Sequence, residues 1–168
     1  MYAQYDYLTP GEYIDSTHPS VVAFAKKVVG DETDPLKKAL LLYKVVRDEI
    51  AYDPYLDYTD MGTYRASHVL KLGRGFCVGK AALLAAAARA VGIPARTGYA
   101  DVKNHITSKR LQDLVNTNIF FWHSYTDLKL EGSWVKATPA FDADLCARAW
   151  LEPLESNGRY YSRYHSYR

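Results

Sequence analysis

The sequence predicts an α+β protein, in which helices come first along the chain and antiparallel strands follow them. Three observations support this class: two amphipathic segments near the N-terminus, a long alanine-rich run in the middle, and apolar segments of strand character after it. Helices and strands are grouped along the chain and do not alternate. The pattern therefore disfavours a parallel sheet built from βαβ units.

The first two helices are indicated by capping residues and by apolar spacing. Residues 16–30 form the first helix, with Ser16 or Thr17 as the expected N-cap. Residues 34–50 form the second helix, with Asp34 as its N-cap. Apolar residues recur there every three or four positions, which is typical of a helix with one buried face.

The alanine-rich run predicts a third, central helix over residues 77–91, after a short turn or helix that closes at Gly73. Its side chains are apolar on nearly all sides, so the helix is expected to be buried. Gly92 is the expected terminator, and Pro94 follows it.

Strands are predicted after this helix. Residues 94–102 form one strand, and residues 118–141 form two more, which are joined by a short loop that contains glycine. Residues 108–117 are interpreted as a short helix or loop, and residues 142–156 as a last short helix.

Length and composition indicate one ordinary globular domain. The chain has 168 residues, of which 48% are hydrophobic and 24% charged, and this suits a single domain with its own core. The formal charge of +2 is too small to indicate a nucleic-acid partner. We expect one domain over residues 1–168, whose two tyrosine-rich ends are the candidates for flexible segments.

Targeting signals and metal motifs are not visible in the sequence. It contains no run of about 18 apolar residues, so no membrane partner is expected, and the N-terminus lacks the pattern of a secretory signal. Two cysteines without a CxxC or metal-ligand spacing indicate neither a disulfide framework nor a metal site. A cytoplasmic location follows as the simplest expectation.

Cys77 is the first candidate for chemistry. It stands at the predicted start of the central helix, where unpaired N–H groups and the helix dipole are expected to lower the pKa of a thiol. Gly75 and Phe76 precede it, and glycine there allows close approach of a substrate backbone and frees N–H groups for an oxyanion. The alternative is a small apolar residue that packs the helix start.

His123 is the candidate base. It lies in a strand pattern in which Ile119, Phe121 and His123 are expected to point the same way. A histidine in so apolar a strand is costly to bury unless its ring nitrogens are paired, so a core histidine is the alternative. A cysteine with a distant histidine is the pattern of a Cys–His nucleophile.

A third group should orient the imidazole from the next strand, and the candidates are Thr138, Asp142 and Asp144. Asp127 is less suitable because it lies four residues beyond His123 on the same strand, roughly 13 Å away.

Several further residues flank these candidates. Tyr52 or Tyr64 is a candidate oxyanion donor upstream of the cysteine, and the alternative is a loop tyrosine that packs on the core. Trp122 is assigned with Tyr52, Gly75 and Phe76 to substrate or oxyanion binding. Three basic residues flank Cys77, namely Lys71, Arg74 and Lys80. They are candidates to raise the local positive potential, and the alternative is that they are simply solvated.

Two segments, GRGFCVGKAALLAAAARAVGIPAR and FFWHSYTDLKLEGSWVKATPAF, together resemble the bacterial transglutaminase-like superfamily. The resemblance covers roughly residues 35–145 and implies a papain-like fold with a Cys–His–Asp triad that needs no cofactor. It makes Cys77 the nucleophile and His123 the base. The family aspartate falls on Thr138, so either Asp142 supplies the carboxylate or the triad is a dyad.

The function that follows is thiol-dependent acyl transfer or hydrolysis at a peptide or side-chain amide, with a protein or peptide as substrate. Water as acceptor gives a protease or deamidase, and an amine gives a transglutaminase. The alternative is a catalytically silent binding module on the same fold, for which Thr138 is the best support.

Overall fold

Helices and strands are described here for residues 7–103, residues 119–141 and Cys146, in a computed structural model. The helices are α1 (Pro19–Val29), α2 (Pro35–Glu49), α3 (Ala66–Leu72) and α4 (Cys77–Ala90). The strands are β1 (Ala51–Tyr52), β2 (Arg74–Gly75), β3 (Ala95–Lys103), β4 (Ile119–Leu130) and β5 (Ser133–Ala137). A short 3-10 helix spans Met61–Tyr64. The order confirms the predicted α+β class.

Helix α4 lies at the centre of the fold. Every residue from Gly79 to Ala88 is buried, and for all of them except Lys80 this is what the apolar sequence predicts. The helix contacts the other three helices on some sides and strands β3 and β4 on another. The hydroxyl of Thr126 donates a hydrogen bond to the carbonyl of Ala81 at 2.8 Å, which ties β4 to α4. The predicted arrangement of a buried helix on an antiparallel sheet is confirmed.

The main sheet has three antiparallel strands in the order β3-β4-β5. Leu128 of β4 is paired with Ala95 of β3 on one side and with Val135 of β5 on the other. Strands β4 and β5 are joined by Glu131 and Gly132, which both have positive φ angles, 49° and 82°. This two-residue turn matches the twist of the strands and forms the predicted hairpin.

A second, very small sheet was not predicted. Tyr52 of β1 pairs in parallel with Gly75 of β2, and the N–H of Asp53 donates to the carbonyl of Gly75 at 3.0 Å. Strands of two residues are too short to produce a period in the sequence. Their effect is to place Tyr52 beside the segment that leads into Cys77.

The helix caps follow the predictions in one case out of two. Asp34 caps α2 as predicted, since its carboxylate accepts hydrogen bonds from the N–H groups of Leu36 and Lys37 at 2.8 and 3.1 Å. The predicted cap of α1 by Ser16 or Thr17 is wrong. His18 is the N-cap, and its side chain accepts from the N–H of Ser20.

The predicted elements at residues 108–117 and 142–156 lie outside the described residues, except for Cys146, which is buried. In the described part of the chain, no helix has the length and apolar character needed to cross a membrane.

Candidate active site

Cys77 is the first residue of α4 and is half-buried. Burial raises the pKa of its thiol above the usual range, and backbone N–H groups of Ser124, Val78 and Cys77 itself lower it by less. The sequence-based prediction of a lowered thiol pKa is therefore wrong for the resting protein. The helix start supplies the expected N–H groups, but removal of the thiolate from water costs more than they return.

His123 lies on β4 immediately before Ser124, whose N–H interacts with the sulfur of Cys77. The backbones that carry the thiol and the imidazole therefore adjoin each other. The histidine is only 3% exposed, and its ring lies 6.0 Å from the ring of Phe141 between centroids. Burial lowers the pKa of His123 from 6.5 to about 4, so the ring is neutral at neutral pH.

A β-bulge next to His123 corrects the predicted alternation. Ala100 of β3 pairs with His123, but Val102 pairs with Phe120, so Phe121 and Trp122 together lie opposite Asp101. Phe121 is 61% exposed whereas His123 is buried, so the prediction that they point the same way is wrong.

Trp122 carries the unusual backbone of this bulge. Its φ is 60°, a region that bulky residues rarely adopt, and its N–H donates to a carboxylate oxygen of Asp101 at 3.2 Å. The side chain is 73% exposed and contacts Tyr99, with 6.3 Å between ring centroids. Trp122 therefore stands at the surface directly beside the buried histidine.

Tyr52 lies close to the cysteine. Burial raises the pKa of its phenol first, and the negative charge that Cys77 carries as a thiolate raises it further. Its ring contacts that of Phe141 at 4.9 Å, and Phe141 in turn contacts His123. The phenol keeps its proton at all ordinary pH values, so it is a hydrogen-bond donor near the sulfur.

Tyr58 is part of the aromatic environment of Cys77, although no sequence signal singled it out. Phe76 contacts the rings of Tyr58 and Tyr64, with centroids 5.1 and 5.5 Å apart. The pKa of Tyr58 is raised by burial and then by the charge of Cys77, and its hydroxyl donates to the carbonyl of Pro54. Nothing in the irregular segment around Tyr58 distinguishes it from its neighbouring tyrosines in the sequence.

Gly75 is buried beneath this cluster. A Cβ atom there would lie 3.0 Å from Val69 and 3.4 Å from the Lys80 side chain, so α3 and α4 occupy the space that a side chain would need. Gly75 lies two residues before Cys77, and its role in oxyanion binding stays a prediction.

Lys80 corrects the interpretation of the flanking charges as solvated. It is fully buried, and its ammonium group donates to the carbonyls of Arg47, at 2.9 Å, and Ile50. These carbonyls belong to the C-terminal end of α2, where a cation is favoured. Lys80 therefore fixes the start of α4 against the end of α2. One of its acceptors, Ile50, directly precedes β1, the strand that contains Tyr52.

Two of the three candidates for the third position are outside the described residues, namely Asp142 and Asp144. Thr138 is 3% exposed, and its carbonyl accepts a hydrogen bond from the hydroxyl of Tyr43 at 3.3 Å. Ala137 pairs with Thr126. Thr138 directly follows the end of β5. If the register continued by one residue, Thr138 would lie opposite Tyr125, and its diagonal spacing from His123 would be about 7 Å.

Asp127 forms an ion pair with a neighbouring strand. Its carboxylate is paired with Arg96 of β3 at 3.1 Å, and the guanidinium of Arg96 lies 4.3 Å above the ring of Trp134. This arrangement agrees with the sequence argument that Asp127 is too far along the strand to orient His123. Within the described residues, no group of three or more His, Cys, Asp or Glu side chains is arranged to hold a metal ion.

A family model for the transglutaminase-like superfamily matches residues 22–139. This chain belongs to the transglutaminase-like superfamily. The matched region includes Cys77, His123 and Thr138, and it ends three residues before Asp142. The resemblance drawn from the two sequence segments is thereby confirmed.

Solved structures share the fold of this transglutaminase-like chain. A candidate cysteine protease from Cytophaga hutchinsonii matches with a TM-score of 0.61 and 21% identity, over 79% of this chain and 40% of that one. A candidate protease from Parabacteroides distasonis matches with a TM-score of 0.51 and 14% identity, over 70% of this chain and 22% of that one. This chain therefore spans less than half of either protein. Among curated proteins, no match was found.

Proposed function

We propose that this chain is a thiol-dependent enzyme that acts on a peptide or glutamine-type amide through an acyl-thioester on Cys77. The observation that carries the proposal is the position of the Cys77 sulfur, at the N-terminus of α4 and against the N–H of Ser124, next to His123. A thiol and a buried imidazole on adjoining backbones are the parts that nucleophilic acyl transfer requires.

The chemistry follows from these two groups. His123 takes the proton of the Cys77 thiol while the sulfur attacks the amide carbonyl, and the resulting imidazolium then protonates the departing nitrogen as the C–N bond breaks. The acyl group remains on the sulfur as a thioester. Water or an amine then attacks the carbonyl carbon, its proton passes to His123, and the thiol is restored as the thioester bond breaks.

The resting state is a neutral pair. The raised pKa of Cys77 and the lowered pKa of His123 both favour uncharged groups, so thiolate and imidazolium form together when the substrate is attacked. Tyr52 is the proposed donor to the oxyanion, because its phenol is protonated and close to the sulfur. The N–H groups at the start of α4 are the second source of donors.

For the third position we propose that either Thr138 or Asp142 orients His123. Thr138 directly follows β5, the strand next to β4. Asp142 directly follows Phe141, whose ring contacts His123. The variants Thr138→Val and Asp142→Asn separate the two: loss of kcat in one and not the other identifies the group. If both variants keep the native kcat, the catalytic group is a dyad of Cys77 and His123.

Access of water to the thioester decides whether water or an amine accepts the acyl group. One assay therefore distinguishes three possible activities. A glutamine-containing peptide is incubated with and without a primary amine, and cleavage, ammonia release and amine incorporation are measured. Cleavage identifies a protease, ammonia alone a deamidase, and amine incorporation a transglutaminase. Cys77→Ala should abolish each product, while Cys146→Ala, the matched change at the other cysteine, should retain it.

A catalytically silent peptide-binding module is the second candidate. Thr138 at the position of the family aspartate favours it, because a hydroxyl cannot stabilise an imidazolium by charge. Peptide binding that is the same in the native protein and in Cys77→Ala, with no product from either, would support this module over the enzyme.

We also propose a compartment that preserves thiols, such as the cytoplasm, because the enzyme needs a reduced Cys77. Cys77 is a free thiol in the structure. Detection of the native protein in a cytosolic fraction, with both thiols reactive after denaturation, would test this.

A further inference from the structure

A cavity of about 450 Å³ lies between helix α4, strand β3 and the 3-10 helix. Val78 and Ala82 of α4 line it together with Thr97 and Tyr99 of β3. Tyr64 and Met61 of the 3-10 helix line it as well. The volume is within the range of about 300–1,000 Å³ that ligand pockets usually have.

The lining of this cavity is mainly apolar and aromatic. Arg89 contributes a charge, but its guanidinium is already committed to the backbone, since it donates to the carbonyls of Ala95 and Thr9 at 2.8 and 2.6 Å. The carboxylate of Glu12 belongs to a side chain that is 68% exposed. An apolar group is therefore the ligand that the interior of the cavity favours.

Neither Cys77 nor His123 is among the residues that line the cavity, but residues next to each of them line it or contact its lining. Val78 directly follows Cys77, and Tyr64 contacts Phe76, which directly precedes it. On the other side, Tyr99 contacts Trp122, the residue before His123. Tyr99 also lines a second hollow together with Trp122, so the Tyr99 side chain borders both the cavity and the bulge next to His123.

We propose that this cavity binds a large apolar or aromatic side chain of the peptide whose carbonyl Cys77 attacks. The Tyr99–Trp122 pair forms the outer wall of this subsite. Both rings are substantially exposed, at 48% and 73%, and a substrate side chain would remove part of their apolar surface from water. The inference rests on the proposed function, since it assigns the substrate class for that site.

Binding is tested without turnover, in the Cys77→Ala variant. N-acetylphenylalanine amide and N-acetylglycine amide are titrated while the methyl resonances of Met61 and Val78 are followed by NMR. The phenylalanine amide should shift both methyl groups, whereas the glycine amide should leave them unchanged at the same concentration. Equal behaviour of the two amides, or shifts at neither methyl group, would overturn the inference.

A filled cavity provides the matched comparison. Ala82→Leu places a larger side chain in the cavity and should weaken binding of the phenylalanine amide at least tenfold. Ala90→Leu makes the same change on the same helix outside the cavity and should leave binding unchanged. Tyr99→Ala, at a half-exposed site, should weaken binding several-fold and serves if Ala82→Leu does not fold. Equal affinity in the cavity and control variants would contradict the proposal.

Turnover by the native protein separates this inference from the proposed function. Selective binding without any product would refute the enzyme and leave the apolar subsite standing. Product formed equally fast from peptides with phenylalanine or glycine beside the reacting amide would refute the subsite and leave the enzyme standing.

Discussion

Burial of His123 should make folding stability depend on pH in a defined window. The unfolded histidine binds a proton near pH 6.5 and the folded one near pH 4, so the unfolded state holds more protons between these values. Stability from this group is therefore complete above pH 6.5 and is lost as the pH falls towards 4. At about 1.36 kcal/mol per pH unit, the difference amounts to about 3 kcal/mol, of which about 2 kcal/mol falls between pH 7 and pH 5.

The assay is urea unfolding at about pH 7 and about pH 5, for the native protein and for His123→Gln. The native protein should lose about 2 kcal/mol more than the variant across this interval, because glutamine does not titrate. His68→Gln, a change at a histidine on α3 that is not fully buried, should keep the native dependence. The reasoning is refuted if His123→Gln and the native protein lose the same free energy of unfolding between the two pH values.

Three further predictions concern the site and the helices that hold it. Iodoacetamide should alkylate Cys77 with a midpoint pH above that of an ordinary thiol, because burial raises its pKa; a midpoint below about 8.5 would contradict this. Gly79→Ala should destabilise the fold by about 1–3 kcal/mol, because the new Cβ would lie 2.7 Å from the carbonyl oxygen of Thr63. The control is Gly11→Ala, whose Cβ would enter open space, and equal thermal stability of the two variants would contradict the prediction. Lys80→Met should lower the free energy of unfolding in urea by about 2 kcal/mol or more, because the buried carbonyls at the end of α2 lose their donor. Lys44→Met, on the exposed face of α2, should change it by less than about 0.5 kcal/mol. Similar losses in the two variants would refute the anchoring role of Lys80.

Much of the framework could be predicted because its signals are local. The central helix is predicted by an alanine-rich run that ends before Gly92, and the structure buries the apolar residues Ala81–Ala88 as that run predicts. The hairpin between β4 and β5 follows from the short loop that contains Gly132, whose positive φ suits glycine, whereas Glu131 adopts a positive φ that its residue type does not favour. The cap at Asp34 is equally local.

The site departs from sequence expectations where distant neighbours decide. The two-residue β1–β2 sheet, the bulge at Trp122 and the burial of Lys80 all depend on segments that meet only in the folded chain. The pKa of Cys77 shows the same limit. A helix N-terminus is visible in the sequence, but the extent to which surrounding side chains exclude water from the sulfur is not, and here that exclusion dominates.

The central claim is that Cys77 carries the acyl group, and trapping the intermediate tests it most directly. The protein is mixed with an excess of a peptide ester, quenched in acid within the first turnover and measured by intact mass and peptide mapping. An added mass equal to the acyl group is expected on the peptide that contains Cys77, and it should be absent in Cys77→Ala. Product release without an adduct on Cys77, or an adduct on Cys146 instead, would contradict it.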